Sequence, residues 1–149
     1  DACRYFGGLI WAALNGLSKE EILSDCFSPV SGYWREHEMV ADLALVASGS
    51  FKRKTPPDIK GGGYVVQSLE AALWAFYNSD SYEEGVLKAV NLGDDADTTG
   101  AVYGQLAGAY YGLDEIPDRF KDNIAMKEII NSYALKLYDN KGDMIYVEK

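Results

Sequence analysis

The sequence predicts an all-α fold, in which several short helices form a compact multi-helix protein. In almost every long segment the apolar residues recur at helical spacing rather than in alternation. Residue pairs that typically start or stop helices separate these segments. The sequence contains no repeat, low-complexity tract or interdomain linker, so we expect residues 1–149 to form a single domain.

The first predicted helix covers residues 2–14, which are apolar on most sides. The Asn-Gly pair at residues 15–16 is a common signal for the end of a helix. Ser18 and Glu21 have the spacing of a capping box, so a short second helix is expected from there to about residue 25. A proline, a glycine and two adjacent aromatic residues indicate a loop over residues 29–34.

The middle of the chain predicts two longer helices with a loop between them. Residues 37–50 have helical periodicity, and residues 51–63 are rich in proline, glycine and charge. The next helix is expected over residues 64–78. The residues expected to face inward from the first of these helices are Val40, Leu43, Ala44 and Ala47.

The C-terminal part of the chain predicts three further helices. Ser81 and Glu84 are spaced to cap a helix over residues 81–91. A second helix follows the acidic cluster near residue 95, and a third is expected over residues 124–138. Residues 144–149 are compatible with an extended end.

Charge and cysteine content narrow the classes of function. The formal net charge of −9 argues against nucleic acid or an anionic membrane as a partner, because both require a basic face, and it suits binding of metal cations. Cys3 and Cys26 lack the spacing of a zinc site or disulfide framework, so reduced thiols in the cytoplasm are expected. No apolar run approaches the length of a membrane span.

An acidic cluster marks the start of one predicted helix. Asp94, Asp95, Asp97 and Thr98 occur within five residues. Helix capping explains one or two acids at such a position. Three carboxylates in a small space would disfavour one another's ionised forms unless a cation lay between them. Mg²⁺ accepts carboxylate, hydroxyl and water oxygens, so spacing alone leaves capping and metal binding as open alternatives.

Glycine follows the acidic cluster at every fourth position. Gly100, Gly104, Gly108 and Gly112 would form one stripe along the helix. Each glycine lowers helix propensity by about 1 kcal/mol relative to alanine. A smooth stripe allows another backbone to approach closely, so we expect this helix to be central and tightly packed.

The stretch NLGDDADTTGAVYGQLAGAYYG, residues 91–112, resembles the C-terminal metal motif of the ADP-ribosylglycohydrolases. The segments DACRYFGGLIWAALNG and GGYVVQSLEAALWAF are similar to the helices that surround that motif. The resemblance implies an all-α hydrolase with a pair of Mg²⁺ or Mn²⁺ ions. Such an enzyme cleaves the bond between the anomeric ribose carbon of ADP-ribose and an acceptor, which is a protein side chain or a small molecule.

The resemblance also implies roles for particular residues. Asp95, Asp97 and Thr98 match the positions that bind the metal pair. Gly63 and Tyr64 match a loop that lies against the ADP-ribose. No residue of this chain matches the general acid or base, so the catalytic residue is unknown.

Two motifs of the family are absent from the sequence. We find neither the N-terminal acidic motif of Thr-Asp-Asp type nor the Thr-His motif expected before the first helix. We therefore expect this chain to be the C-terminal part of a longer enzyme, inactive by itself and possessing surfaces able to self-associate. The alternative is a non-catalytic metal- or nucleotide-binding protein of the same fold.

Two polar features have simpler explanations. His37 is the only histidine and lies among acids, so a surface or capping role is favoured over catalysis. Lys52, Arg53 and Lys54 could meet a pyrophosphate, but a solvated loop is the favoured interpretation.

Overall fold

The computed structural model describes residues 1–140, and the regular elements in that range are all helical. The all-α prediction is therefore confirmed. The chain divides into two compact units, Asp1–Ile116 and Pro117–Lys149, which are described separately below. The single domain over residues 1–149 stays a prediction.

Four helices form the N-terminal half of the first unit: α1 (Ala2–Leu14), α2 (Lys19–Ile22), α3 (Tyr33–Glu36) and α4 (Ala41–Ala47). The predicted end of α1 is confirmed, because Asn15 caps the helix and Gly16 has a φ of 76°. The capping box of α2 is also confirmed. The Ser18 side chain accepts the Glu21 N–H, and the Glu21 carboxylate accepts the Ser18 N–H at 2.8 Å.

The prediction of a loop over residues 29–34 was wrong at its end, where α3 begins. Gly32 starts this helix in a left-handed conformation, with a φ of 75°. The indole N–H of Trp34 donates to the Phe27 carbonyl at 3.1 Å, which holds the helix against the preceding loop. His37 follows the helix, where its exposed ring stacks on Tyr33 at 4.3 Å.

The helix predicted over residues 37–50 is shorter than expected. Val40 is extended, with a ψ of 144°, and its N–H donates to the Asp1 carboxylate at 3.1 Å. Gly49 ends the segment with a φ of 85°. Leu43 and Ala47 are buried as predicted, whereas Val40 is 55% exposed because it precedes α4.

The second half of this unit contains three longer helices: α5 (Val65–Tyr77), α6 (Tyr82–Val90) and α7 (Ala96–Tyr111). Short 3₁₀ turns lie at Ser50–Lys52 and Leu113–Glu115. Ser81 caps α6 as predicted, because its hydroxyl accepts the Glu84 N–H at 3.2 Å. The Glu84 carboxylate accepts the Asp80 N–H instead of completing a box with Ser81.

Helix α7 lies at the centre of the first unit, where it packs against α1, α5 and α6. One of its faces is buried and the opposite face is exposed, so the acidic start of the helix remains accessible. The buried residues of α7 are Thr99, Tyr103, Leu106 and Ala107. The exposed ones near its start are Asp97, Thr98, Ala101 and Gln105.

The glycine stripe allows close packing at its first two positions. A Cβ atom would lie 2.9 Å from Val90 Cγ1 at Gly100, and 3.3 Å from the Tyr82 hydroxyl at Gly104. At Gly108 the nearest atom would be 4.0 Å away, in ordinary contact. The prediction of a tightly packed stripe is therefore confirmed where α7 meets α6. The packing is less close at Gly108.

The described part of the second unit contains α8 (Asp118–Lys121) and α9 (Lys127–Asp139). Helix α9 begins three residues later than predicted, and its side chains are exposed along its length. The segment expected to be extended, residues 144–149, lies outside the described residues. Within residues 1–140, none of the helices combines the length and apolar character needed to cross a membrane.

Candidate cation and substrate site

The acidic cluster forms a turn that leads directly into α7. Asp94 has a φ of 51°, and Asp95 occupies the N-cap position of the helix. The Asp95 side chain makes no capping hydrogen bond, so the capping interpretation fails for this carboxylate. Asp97 and Thr98 follow in the first helical turn, where both are exposed. The two carboxylates and the hydroxyl predicted as metal ligands are therefore presented together at one end of α7.

A glycine loop, residues 61–63, lies against this acidic turn. The Asp95 N–H donates a hydrogen bond to the Gly61 carbonyl at 2.8 Å. A Cβ atom at Gly63 would lie 3.5 Å from Asp95 Oδ2, so the loop passes directly beside that carboxylate. On its other side the loop is anchored by the buried Ser68, whose hydroxyl donates to the Gly62 carbonyl at 2.6 Å.

The exposed face of α7, the glycine loop, the start of α5 and the start of α1 line an open cavity of about 300 Å³. Gly63 and Thr98 line this cavity together with Cys3. Tyr64, which is 50% exposed, lines a neighbouring cavity of about 260 Å³ that also includes Cys3. The structure thus brings Gly63 next to Thr98 and the Asp95 carboxylate, whereas Tyr64 lines the neighbouring cavity without any of the predicted metal residues. The roles of these residues stay predictions.

Sequence reasoning missed Thr99, the neighbour of Thr98. Thr99 is fully buried, and its Oγ1 has no hydrogen-bond partner among the described residues. A Cβ atom at Gly61 would lie 2.9 Å from this oxygen and 3.1 Å from the Gly93 carbonyl oxygen. Nothing in the sequence distinguishes the exposed threonine from the buried one, because the difference depends on the distant glycine loop.

The basic cluster near residue 53 is largely engaged in structural contacts. Lys54 pairs with Glu70 at 2.8 Å, and the Glu70 side chain is only 13% exposed. The Lys52 ammonium donates to the Leu23 carbonyl at 2.6 Å. These contacts favour the predicted loop over a role in binding pyrophosphate, although Lys52 and Lys54 make structural contacts that a fully solvated loop would lack.

The acidic turn matches Mg²⁺ or Mn²⁺ in the type of donor it offers. Carboxylate and hydroxyl oxygens suit hard cations, which keep several waters and use few protein ligands. Across residues 1–140, no group of three or more His, Cys, Asp or Glu side chains is placed to hold a metal ion. Asp95, Asp97 and Thr98 therefore fit one part of a ligand set.

A close contact between α6 and α7 supports the position of the turn. The buried Tyr103 hydroxyl donates to the Tyr82 carbonyl at 3.0 Å. Burial raises the pKa of the Tyr103 phenol above its ordinary value, so the phenol remains a neutral donor. Gly85 makes this contact possible, because an added Cβ would overlap the Tyr103 hydroxyl.

Comparison with known proteins gives one consistent result. Residues 1–144 match the family model described as ADP-ribosylglycohydrolase. The ADP-ribosylarginine hydrolase Tri1 of Serratia proteamaculans is 35% identical over 92% of this chain, which corresponds to 35% of that protein. The protein of the same name from Pseudomonas putida is 37% identical over 93% of this chain, and the match again covers 35% of its length.

A solved structure is also similar to this chain. The structure titled "ADP-ribosylglycohydrolase-related protein complex" superposes with a TM-score of 0.80 at 42% identity. The match covers 93% of this chain and 46% of the other. The chain thus spans about a third of the length of the two curated relatives and less than half of the solved chain.

Proposed function

The chain belongs to the ADP-ribosylglycohydrolase family, and on that basis we propose that it forms one side of the active site of a metal-dependent hydrolase. The proposed reaction cleaves the glycosidic bond between ADP-ribose and an acceptor. The observation that carries this proposal is the junction between the glycine loop and the acidic turn. There the Gly61 carbonyl binds the Asp95 N–H, and Gly63 lies beside the Asp95 carboxylate.

Each predicted site residue has a defined part in this proposal. Asp95, Asp97 and Thr98 would hold Mg²⁺ or Mn²⁺ through their oxygens. A bound pair of such ions supplies Lewis-acid polarisation and orients the substrate oxygens. Gly63 has no side chain between the loop and the Asp95 carboxylate, so the ribose can approach the turn closely. The half-exposed Tyr64 ring would contact the substrate beside this point.

We also propose that this chain contributes an incomplete site. Asp95, Asp97 and Thr98 would supply two carboxylates and one hydroxyl, and among residues 1–140 no group of three or more His, Cys, Asp or Glu side chains is placed to hold a metal ion. The remaining ligands and the general acid or base would then come from outside this chain. The isolated 149-residue chain is accordingly proposed to be inactive.

For the acceptor we propose arginine, carried by an ADP-ribosylated protein. The support is the similarity to two relatives that are ADP-ribosylarginine hydrolases. The alternative of a non-catalytic metal- or nucleotide-binding protein is favoured by one observation, the incomplete ligand set among residues 1–140.

The test uses the complete gene product that carries this sequence. Calorimetry with MnCl₂ should show binding that Asp95→Ala and Asp97→Ala each weaken strongly. Asp114→Ala is the matched control, because Asp114 is an exposed carboxylate beyond the opposite end of α7 and should leave Mn²⁺ binding unchanged. Hydrolysis of ADP-ribosylarginine is measured in parallel.

Three outcomes would contradict parts of this proposal. Undiminished Mn²⁺ binding in the Asp95→Ala/Asp97→Ala double variant would remove the ligand assignment. Mn²⁺ binding without hydrolysis of any ADP-ribosylated substrate would favour the non-catalytic alternative. Turnover by the isolated chain would show that its own residues complete the site.

A further inference from the structure

We propose that Thr99 is a positioning residue whose buried hydroxyl engages the backbone of the acidic turn when a cation binds there. This inference rests on the proposed cation site at Asp95, Asp97 and Thr98. It concerns a residue that would not itself contact the metal, because Thr99 lies on the buried face of α7.

A buried hydroxyl is usually stabilised by a hydrogen bond, and the hydroxyl of Thr99 has none among the described residues. Thr99 is 0% exposed, and Oγ1 finds no hydrogen-bond partner among the described residues. A buried hydroxyl without a partner destabilises a folded protein, whereas valine would fill the same shape without that cost. Stability of the chain alone therefore favours valine at this position.

The common explanation for a threonine within a helix also fails here. Such a hydroxyl usually donates to the carbonyl four residues earlier. For Thr99 that carbonyl belongs to Asp95, and it accepts the backbone N–H of Thr99 at 3.0 Å without a bond from the hydroxyl.

The position of the hydroxyl relates it to the acidic turn. A Cβ atom at Gly61 would lie 2.9 Å from Thr99 Oγ1 and 3.1 Å from the Gly93 carbonyl oxygen. Oγ1 therefore lies against Gly61, whose carbonyl holds the Asp95 N–H at 2.8 Å. The Gly93 carbonyl, just before the acidic turn, approaches the same point. The loop that accepts the Asp95 N–H and the residue before the acidic turn therefore meet beside Thr99 Oγ1.

The inference predicts opposite effects on stability and on cation binding. Thr99→Val and Thr99→Ser are compared with the wild type in the complete gene product. Urea unfolding in EDTA should show Thr99→Val to be as stable as the wild type or more stable. Calorimetry with MnCl₂ should show its dissociation constant raised at least about tenfold, the usual effect of losing a residue that orients metal ligands. Thr99→Ser retains the hydroxyl and should restore the affinity.

The possible failures are distinguishable. If the wild type does not bind Mn²⁺, the proposed cation site fails and this inference fails with it. If the wild type binds Mn²⁺ and Thr99→Val binds it equally well, only the role of Thr99 is overturned. A parallel loss of stability and affinity in both variants would show a merely structural residue and would also overturn the inference.

Discussion

The backbone N–H of Asp95 donates a hydrogen bond to the Gly61 carbonyl at 2.8 Å. This bond joins the glycine loop before α5 to the acidic turn before α7. The two segments are distant in the sequence, and each contains residues predicted to serve the site. Their junction therefore places Gly63 beside the Asp95 carboxylate.

Gly61→Ala should disturb this junction. The added Cβ would lie 2.9 Å from Thr99 Oγ1 and 3.1 Å from the Gly93 carbonyl oxygen, closer than normal contact. We expect a loss of about 1–3 kcal/mol in the free energy of unfolding, measured in urea, together with weaker Mn²⁺ binding. The control is Gly7→Ala in α1, where no heavy atom lies within 4 Å of the added Cβ. That substitution should stabilise the protein by up to about 1 kcal/mol.

Gly85→Ala should be the most damaging glycine substitution in the described chain. The new methyl group would overlap the Tyr103 hydroxyl and would lie 2.6 Å from Ser79 Oγ, and both of these residues are buried. We expect a loss of about 3 kcal/mol or more by urea unfolding, because the α6–α7 contact must open. Gly108→Ala is the matched control in α7. Its nearest atom is 4.0 Å away, so a gain of about 0.5–1 kcal/mol is expected.

Lys54→Ala should act on stability and leave substrate affinity unchanged. Lys54 pairs with the mostly buried Glu70 at 2.8 Å, but its own side chain is 40% exposed, so solvent screening limits the loss to about 1 kcal/mol or less. Arg53→Ala is the exposed control and should change neither property. Lower affinity for ADP-ribose in both variants, at unchanged thermal stability, would instead indicate a pyrophosphate-binding cluster.

The start of α6 should weaken at acidic pH. A hydrogen bond from Lys88, and then one from the Asp80 N–H, lowers the pKa of Glu84 below its ordinary value of 4.5. The stabilisation is therefore complete above that value and is lost as the pH falls through the lowered pKa. We expect the melting temperatures of the wild type and Glu84→Gln to differ most near neutral pH and to converge as the pH falls below the lowered pKa of Glu84. A difference that stays constant over this range would contradict the prediction.

Local features of the sequence were sufficient to predict much of the fold. The cap formed by Ser18 and Glu21 and the cap at Ser81 involve residues close together in the chain, and both form as predicted. The helix predicted over residues 37–50 was too long, and one contact at its observed start is non-local. The Asp1 carboxylate accepts the N–H of Val40, the N-cap residue of α4, and periodicity contains no information about that contact.

The sequence by itself determined the all-α class and placed Asp95, Asp97 and Thr98 together, because helical periodicity and spacing within one turn depend only on neighbouring residues. Only the tertiary structure decided that Asp95 leaves its carboxylate uncapped and that the glycine loop lies beside it. It also decided that Thr99, and not Thr98, carries the buried, unpartnered hydroxyl. These relationships arise when segments far apart in the chain pack together, and that packing depends on shape and polarity across the whole core.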